Sequence, residues 1–157
     1  MSSPDLLLSN QVCFLFHRID RAIVAQYRPL LAELGLTYPQ YLAMLALWEN
    51  EELSVGDLCG LLDLDTGTVS PLLKRLETAG LVTRRRGVRK DERIVIASLS
   101  PAGRALEEKA RRIPGALASC LFQSDEEYRD LKTRLEALVG RIEEGGKSSA
   151  GGEKQDG

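Results

Sequence analysis

The sequence contains few of the residues that disulfide scaffolds and metal sites require. Its 157 residues include three cysteines and one histidine, and only 5% of them are aromatic. The cysteines, Cys13, Cys59 and Cys120, are too few and too far apart for a disulfide scaffold. With no CxxC motif and no second histidine besides His17, no metal site is indicated. We therefore expect free thiols and no metal ion or other cofactor.

Long apolar runs and a basic N-terminal segment are also missing. No apolar segment approaches the roughly 20 residues that are needed to cross a bilayer. The first ten residues carry a single charge, that of Asp5, and lack the basic segment of a secretory signal. These two absences predict a cytoplasmic protein with no membrane contact.

The chain has no overall positive charge, but its basic residues are concentrated in one segment. The formal net charge is −2, which taken alone argues against a nucleic-acid-binding protein. Between Lys74 and Arg93, however, eight basic residues accompany three acidic ones. A local basic stripe binds phosphates by releasing counterions, whatever the charge of the rest of the protein. The segment therefore predicts contact with nucleic acid.

The apolar pattern over residues 6–34 predicts one long helix. Apolar residues occupy more of its circumference than the single stripe of a surface helix, which indicates a partner chain. Pro29 falls inside the pattern and is expected to kink or break the helix near Arg28. Gly35 then stands where a residue with left-handed backbone commonly ends a helix.

Polar cap signals in the middle of the chain predict a helix followed by a helix-turn-helix. Residues 37–40 have the spacing of a capping box, and residues 54–57 open a short helix. Residues 65–68 precede a further helix, and two short helices joined by a tight connection are typical of a DNA-reading motif. This recognition helix is expected to begin near Gly67 or Thr68, with Pro71 in its first turn.

The pattern then changes to that of a β-hairpin. Residues 81–85 and 93–99 are short segments rich in β-branched side chains, and the charged loop between them contains a glycine. Two helices follow, over residues 101–112 and 124–143, with an interruption at Pro114-Gly115.

These elements predict a mainly α fold with a small β-hairpin wing, that is, a winged helix-turn-helix with N- and C-terminal dimerisation helices. We expect a single domain over residues 1–144 and a disordered Gly- and Ser-rich tail over residues 145–157. Within the domain, residues 36–99 form the DNA-binding lobe. Residues 6–34 and 101–144 form the dimerisation helices.

The expected DNA contacts come from the recognition helix and the wing. Threonine and serine near the helix start reach base edges or phosphates, and a basic residue at the wing tip, Arg89 or Lys90, suits a narrow minor groove. The residues expected to contact DNA are Thr66, Thr68, Ser70, Lys74, Arg75, Arg84, Arg85, Arg86, Arg89, Lys90 and Arg93. The alternative is that the arginines form a solvated face and that Lys74 and Arg75 pair with Glu77.

Six short motifs lie along residues 8–114. They are Asn10-Gln11-Val12-Cys13-Phe14, Tyr27-Arg28-Pro29-Leu30-Leu31, Leu36-Thr37-Tyr38-Pro39-Gln40-Tyr41, Leu64-Asp65-Thr66-Gly67-Thr68, Pro71-Leu72-Leu73-Lys74-Arg75-Leu76-Glu77 and Asp91-Glu92-Arg93. Together they resemble the MarR family, and more narrowly its organic hydroperoxide resistance regulators (OhrR). The basic wing is general to the family, whereas the set of Cys13, Tyr27 and Tyr38 is specific to the peroxide-sensing branch.

The resemblance implies a homodimeric repressor that binds a palindromic operator DNA when it is reduced. An organic hydroperoxide would oxidise Cys13 to a sulfenic acid, and the DNA would be released. In one group of these regulators a second cysteine captures the sulfenic acid in a disulfide between subunits, and Cys120 lies in the corresponding region. Some relatives carry a tyrosine one turn after the sensing cysteine. Here that position is His17, which is placed to tune the thiolate.

Helix geometry limits how the tyrosines could reach the thiol. Tyr27 follows Cys13 by fourteen residues, a rise of about 21 Å in a straight helix. A hydrogen bond between them therefore needs the other subunit or a sharp bend, and Tyr38 could join it. The alternatives are that Cys13 is a small buried apolar residue, that Cys59 belongs to the core, and that the tyrosines only pack at an interface.

Three other functions are consistent with parts of the sequence. A MarR-type regulator could bind a small aromatic ligand between its dimerisation and DNA-binding regions, with the cysteines incidental. A thiol peroxidase is disfavoured, because no α/β scaffold with a Cys/His/Asp set is recognisable and the basic wing would have no use. A constitutive DNA-packing protein would bind random and operator DNA equally.

Overall fold

The computed structural model describes residues 3–86 and 94–150, with side chains through residue 145. In this part of the chain the fold is mostly helical and has one small antiparallel sheet, which confirms the predicted fold class. Two short 3-10 turns, Pro4–Leu6 and Leu8–Asn10, come first. The elements that follow are α1 (Val12–Ala32), α2 (Tyr38–Asn50), β1 (Glu52–Ser54), α3 (Val55–Leu62), α4 (Thr66–Thr78), β2 (Val82–Arg86), β3 (Val95–Leu99), α5 (Pro101–Ala110), α6 (Arg112–Leu121) and α7 (Asp125–Ala150).

The chain divides into two compact units, residues 1–113 and 114–157. The core of the first unit combines the apolar faces of α2, α3 and α4 with the end of α1, the sheet and α5. Its fully buried large side chains are Tyr41, Leu31, Met44, Leu47, Leu58, Leu73, Leu76, Ile113, Val69 and Val82. Beside this core, the indole Nε1 of Trp48 donates a hydrogen bond to the Gly103 carbonyl at 2.8 Å, which ties α2 to α5.

The predicted helix-turn-helix is formed by α3 and α4, and a capping side chain begins each helix. The Ser54 hydroxyl accepts a hydrogen bond from the Asp57 amide at 3.0 Å, and the Asp65 carboxylate accepts one from the Thr68 amide at 2.9 Å. Between the helices Asp63 has left-handed backbone, with φ of 51°, which aspartate tolerates better than most residues. The two caps fix where the helices begin.

The start of α4 differs from the sequence prediction. Because Asp65 is the N-cap, the helix begins at Thr66 rather than near Gly67 or Thr68. Pro71 therefore lies in the second turn, and its placement in the first turn was wrong. Its missing N–H removes one backbone hydrogen bond to the Gly67 carbonyl, and the buried apolar face of the helix compensates for this loss.

The base of the wing is a three-stranded antiparallel sheet in the order β1-β3-β2. β2 and β3 pair from Val82 opposite Leu99 to Arg86 opposite Val95, which confirms the predicted hairpin. The loop between them, residues 87–93, lies outside the described residues. Three of the expected DNA contacts, Arg89, Lys90 and Arg93, belong to that loop.

The strand β1 was not predicted. It has three residues, Glu52–Ser54, which are too few to show an alternating pattern. It pairs with β3, with Leu53 opposite Ala97, and so covers the side of β3 that faces away from β2.

The N-terminal helix is shorter than predicted, since α1 begins at Val12 rather than at residue 6. The residues before it form 3-10 turns that are held by side-chain amides. Asn10 Nδ2 donates to the Pro4 carbonyl at 2.8 Å, and Gln11 Nε2 donates to the Asp5 carbonyl at 2.6 Å. These bonds give the backbone an alternative to the helical pattern.

The C-terminal end of α1 follows the prediction only in part. The helix continues through Pro29 to Ala32, so it is not broken near Arg28. Gly35 has φ of 67°, and the Leu36 amide donates to the Leu31 carbonyl at 3.1 Å. This is the left-handed helix end that the glycine predicted.

The predicted interruption at Pro114-Gly115 lies elsewhere. α5 ends at Ala110, and α6 begins at Arg112 and runs through the proline. Pro114 is the third residue of α6, where an amide has no partner within the helix, so the proline costs nothing there.

The last helix is longer than predicted. α7 continues to Ala150 instead of ending near Glu143, so the tail expected to be disordered begins inside it. Residues 151–157 lie outside the described residues. Within the described ranges, none of the helices has the length and apolarity needed to span a bilayer.

Gly103 permits a close approach between α5 and the turn after α4. A Cβ at this position would lie 2.0 Å from the Leu81 carbonyl oxygen. Gly103→Ala is therefore expected to lower the free energy of unfolding by about 2 kcal/mol, as overpacking does. Chemical denaturation measures this change. Gly60→Ala is the control, because nothing lies within 4 Å of that site in α3 and alanine favours a helix. Equal stability of the two variants would contradict the predicted clash.

The cap of the recognition helix should make stability depend on pH. Hydrogen bonds from the Thr68 hydroxyl and amide hold the pKa of the Asp65 carboxyl below its usual 3.8. The pKa is lower in the folded protein than in the unfolded chain. The stabilisation is therefore complete above the unfolded-state pKa and is lost as the pH falls through the folded-state pKa. Asp65→Asn keeps an acceptor but does not titrate. The stability advantage of the wild type over Asp65→Asn, measured by thermal unfolding, is expected to shrink below about pH 4, and a constant difference would contradict the cap's charge dependence.

Candidate DNA-binding and redox sites

The solvent face of α4 carries the side chains that were predicted to read DNA. The helix buries Val69, Leu72, Leu73 and Leu76 in the core. The opposite face presents Thr66, Thr68, Lys74 and Arg75, with Ser70 half-buried at its edge. The amphipathic pattern of α4 thus turns the predicted DNA contacts outward as one group.

The two threonines of this face are already engaged within the protein. The Thr68 hydroxyl donates to Asp65 Oδ2 at 2.9 Å, so its proton is committed to the cap. Thr66 Oγ1 lies 3.8 Å from the sulfur of Cys59, which is half-buried on α3 against the core. Each hydroxyl oxygen still has acceptor capacity.

Two of the three described wing arginines are paired with carboxylates. Arg84 Nη2 lies 2.6 Å from Glu77 Oε2, and Arg85 Nη2 lies 3.0 Å from Glu52 Oε2. Glu77 thus forms its ion pair with Arg84, and the charge of Lys74 acts on the same carboxyl as a smaller contribution. These arginines hold the pKa values of both carboxyls below their ordinary range. The guanidinium groups of Arg84 and Arg85 are therefore less available to phosphates than the sequence indicated.

Arg86, at the end of β2, is exposed. No ion pair of Arg86 is found within the described part of the chain. Lys74 and Arg75 are likewise exposed on α4. Neither forms an ion pair within 4 Å among the described residues, although the charge of Lys74 helps to lower the pKa of Glu77. Among the described residues, these three are the exposed cations of α4 and β2 that have no ion pair.

The tyrosines that the sequence singled out lie together at the junction of α1 and α2. The ring centroids of Tyr27 and Tyr38 are 4.7 Å apart, and that of Tyr41 lies 5.7 Å from Tyr27. Burial, and secondarily the negative charge of Asp20, raise the pKa of Tyr38. Its phenol is therefore protonated at neutral pH and can donate a hydrogen bond.

Cys13 is exposed near the start of α1 and does not meet this tyrosine pair within its own chain. Because α1 is continuous from Val12 to Ala32, about 21 Å of helix separates the sulfur from Tyr27. The alternative of a sharp bend is wrong, and so is the alternative that Cys13 is buried in its own chain. His17, one turn further along α1, is also exposed.

Apolar side chains surround Cys13 along the chain and are uncovered. The exposed large apolar residues of this N-terminal apolar segment are Leu6, Leu7, Leu8, Val12, Leu15, Phe16 and Ile19. A contiguous apolar surface of this kind usually marks an interface.

The second unit carries the third cysteine and an apolar stripe of its own. Cys120 is exposed on α6. The stripe on α7 consists of Tyr128, Leu131, Leu135, Val139 and Ile142, all of them exposed. Among the described residues of the whole chain, no three His, Cys, Asp or Glu side chains come together as a metal site.

A family model described as the transcriptional regulator SarA/Rot matches residues 25–110 of the chain. Among individual proteins, the organic hydroperoxide resistance transcriptional regulator of Bacillus subtilis is 48% identical over 132 residues. These residues make up 84% of this chain and 89% of the relative. The similarity includes the helix-turn-helix and the wing strands described above.

Solved structures of AbfR from Staphylococcus epidermidis are also similar. Reduced AbfR bound to DNA has a TM-score of 0.78 and 33% identity, over 92% of this chain and 98% of AbfR. Overoxidised AbfR bound to DNA has a TM-score of 0.69 and 33% identity, over 86% of this chain and 94% of AbfR. The disulfide form of AbfR has a TM-score of 0.60 and 34% identity, over 87% of this chain and 90% of AbfR.

These relatives are transcriptional regulators with winged-helix folds, and the chain is not an enzyme. The fold, the outward face of α4 and the basic wing strand agree with a protein that binds DNA. The chain therefore belongs to the SarA/Rot-type transcriptional regulators, in the organic hydroperoxide resistance (OhrR) branch of the MarR family.

Proposed function

We propose that the protein is a cytoplasmic, homodimeric repressor that leaves a palindromic operator DNA when an organic hydroperoxide oxidises Cys13. The observation that carries this proposal is the exposed thiol of Cys13 within an uncovered apolar segment. A thiol must be accessible to react with a peroxide. An exposed apolar segment usually marks an interface with another chain.

A second copy of the chain would complete the sensor. Two antiparallel α1 helices would cover each other's N-terminal apolar segments and bring Cys13 of one subunit to the Tyr27 and Tyr38 of the other. The raised pKa of Tyr38 supports its role as a donor, because a protonated phenol can stabilise a thiolate. His17, four residues after Cys13, would lie on the same side of the helix.

The chemistry begins with the thiolate. Sγ of Cys13 attacks the outer oxygen of the hydroperoxide, the O–O bond breaks, and the alcohol leaves after it takes up a proton. Cys13 becomes a sulfenic acid, and the hydroperoxide is reduced by two electrons. The thiol of Cys120 of the partner subunit then attacks the sulfenic sulfur, a disulfide forms, and water leaves.

Release of DNA is assigned to the disulfide rather than to oxidation of the sulfur alone. Overoxidised AbfR binds DNA, and AbfR also forms a disulfide. A covalent link between subunits would move the two recognition helices, which have to reach successive major grooves about 34 Å apart. A change in their spacing is enough to weaken binding, because both must dock at once.

On the DNA, the outward face of α4 would enter the major groove. Thr66, Thr68 and Ser70 would lie near the bases, while Lys74, Arg75 and Arg86 would contact phosphates. The loop residues Arg89, Lys90 and Arg93 are proposed to reach the minor groove, as a basic wing tip does. Arg84 and Arg85 have intramolecular partners, Glu77 and Glu52, and are therefore less available to the DNA.

A second candidate function rests on a cavity beside Tyr38. It has a volume of about 310 Å³ and is lined by Val24, Arg28, Leu31, Ala32, Leu36, Thr37, Tyr38 and Pro39. An apolar cavity with one guanidinium suits a small aromatic carboxylate. A ligand of this class would release DNA from Cys13→Ser protein, whereas the redox mechanism requires the thiol.

The cysteine variants test the proposed function. Organic hydroperoxide is expected to weaken DNA binding of the wild type at least about tenfold, and to leave Cys13→Ser bound, since no sulfenic acid can form. Cys120→Ser is expected to gain one oxygen at Cys13 and to remain bound. Cys59→Ser is the matched control and should behave like the wild type. Binding is measured by fluorescence anisotropy on a duplex that the reduced protein selects from random sequence.

Two results would contradict the proposal at different steps. Release of Cys13→Ser by peroxide would show that another group is the sensor. Release of Cys120→Ser would show that the disulfide is not needed, and mass spectrometry of each oxidised variant identifies the sulfur that reacted.

A further inference from the structure

The recognition helix and the wing are joined by a short turn, and a side-chain contact spans it. α4 ends at Thr78, Gly80 has φ of 73°, and β2 begins at Val82. Glu77 lies in the last turn of α4, and Arg84 is the third residue of β2. Contacts between these two side chains therefore connect the helix to the strand directly.

Three hydrogen bonds join Glu77 to Arg84. Glu77 Oε2 accepts from Arg84 Nε at 2.9 Å and from Nη2 at 2.6 Å. Glu77 Oε1 accepts from the Arg84 backbone amide at 3.2 Å. The two side chains are 27% and 38% exposed for Arg84 and Glu77, so water screens the pair only in part. A pair with several directed bonds has a defined geometry, which a single surface ion pair lacks.

The backbone bond anchors the strand itself. β2 is at the edge of the sheet and pairs only with β3 among the described strands. The Arg84 amide donates to the carboxylate of Glu77, so this part of the open edge is occupied by a side chain of the recognition helix. The carboxylate thus fixes both the path of the wing strand and the direction of its first arginine.

The neighbouring arginine has a looser partner. Arg85 and Glu52 are 51% and 52% exposed, and both their hydrogen bonds involve a single guanidinium nitrogen. Glu52 also accepts from the Ser98 hydroxyl at 3.1 Å. Phosphate oxygens compete well with a carboxylate in such an exposed pair. Arg86 is also exposed and has no ion pair among the described residues, so the three consecutive arginines differ in how firmly they are held.

We infer that Glu77 and Arg84 are positioning residues that clamp the wing to the recognition helix, and that Arg84 does not contribute its charge to phosphate binding. This inference rests on the DNA-binding part of the proposed function and corrects the sequence expectation for Arg84. The helix and the wing of one subunit bind neighbouring grooves, so the angle between them decides whether both contacts form together.

The sign of the Glu77 effect distinguishes positioning from charge. An acidic side chain near DNA repels phosphates, so a purely electrostatic role predicts tighter binding by Glu77→Ala. The clamp predicts the reverse, namely that Glu77→Ala and Arg84→Ala each weaken binding about tenfold, as loss of charge-assisted hydrogen bonds does. Because the residues act as one unit, the double variant should bind no more weakly than the weaker single variant.

The salt dependence provides a second readout. Binding of reduced protein is measured between about 50 and 200 mM salt, and the slope of log K against log salt counts phosphate contacts. Arg84→Ala should leave the slope unchanged, whereas the matched control Arg86→Ala should reduce it by about one. Glu77→Gln keeps an acceptor for the Arg84 amide and should recover part of the affinity.

Three outcomes would overturn the clamp: tighter binding by Glu77→Ala, a slope that falls by about one in Arg84→Ala, or additive losses in the double variant. The proposed function has its own contradicting result, namely that the reduced wild-type protein binds no DNA duplex selected from random sequence. In that case amide hydrogen exchange at Arg84, measured on the protein without DNA, still tests the clamp. Exchange should be faster in Glu77→Ala than in the wild type, and an unchanged rate would contradict the backbone bond.

Discussion

The unbroken length of α1 is the constraint on which the account of the sensor depends. From Val12 to Ala32 the helix does not end, so its rise holds Cys13 about 21 Å from Tyr27 in the same chain. The two tyrosines of its own chain are then out of reach of the thiol, and the apolar residues around Cys13 are left uncovered. A second antiparallel copy would supply both the donors and the cover. Because the thiol and its donors would belong to different chains, oxidation of the thiol would directly affect how the two subunits are arranged.

The DNA-binding lobe depends on a different kind of restraint. Individual side chains fix where its helices begin and hold neighbouring elements together. Asp65 begins the recognition helix, the core buries its inner face, and Glu77 at its other end holds the wing strand. The sheet then ties the wing to the start of the helix-turn-helix through β1. Helix α4 and the strands at the base of the wing are thus held to each other, and a signal from the proposed dimer interface would have only to move the two DNA-binding lobes relative to each other.

The sequence revealed the features that depend on neighbouring residues. The cap at Ser54, the left-handed glycine at Gly35 and the outward face of α4 all follow from spacings of a few residues. The strand β1 was missed because three residues show no period, and the 3-10 turns before α1 were missed because Asn10 and Gln11 bond to the backbone instead of extending the helix.

The candidate site was predictable as a set of residues but not as a set of pairs. Tyr27 and Tyr38 were named together from the family motifs, and their ring contact agrees with that. No pattern in the sequence paired Glu77 with Arg84, because seven residues and a change from helix to strand separate them. The number of basic residues in the segment therefore predicted Arg84 as a DNA contact.

The central claim, that Cys13 reacts beside the tyrosines of the partner subunit, is tested most directly by mixing two variants. One subunit carries Tyr27→Phe with Tyr38→Phe, and the other carries Cys13→Ser. In the mixed dimer the remaining Cys13 faces intact tyrosines only across the interface, so its oxidation rate should return to the wild-type value. A rate that stays as slow as in the double-phenylalanine homodimer would contradict the claim.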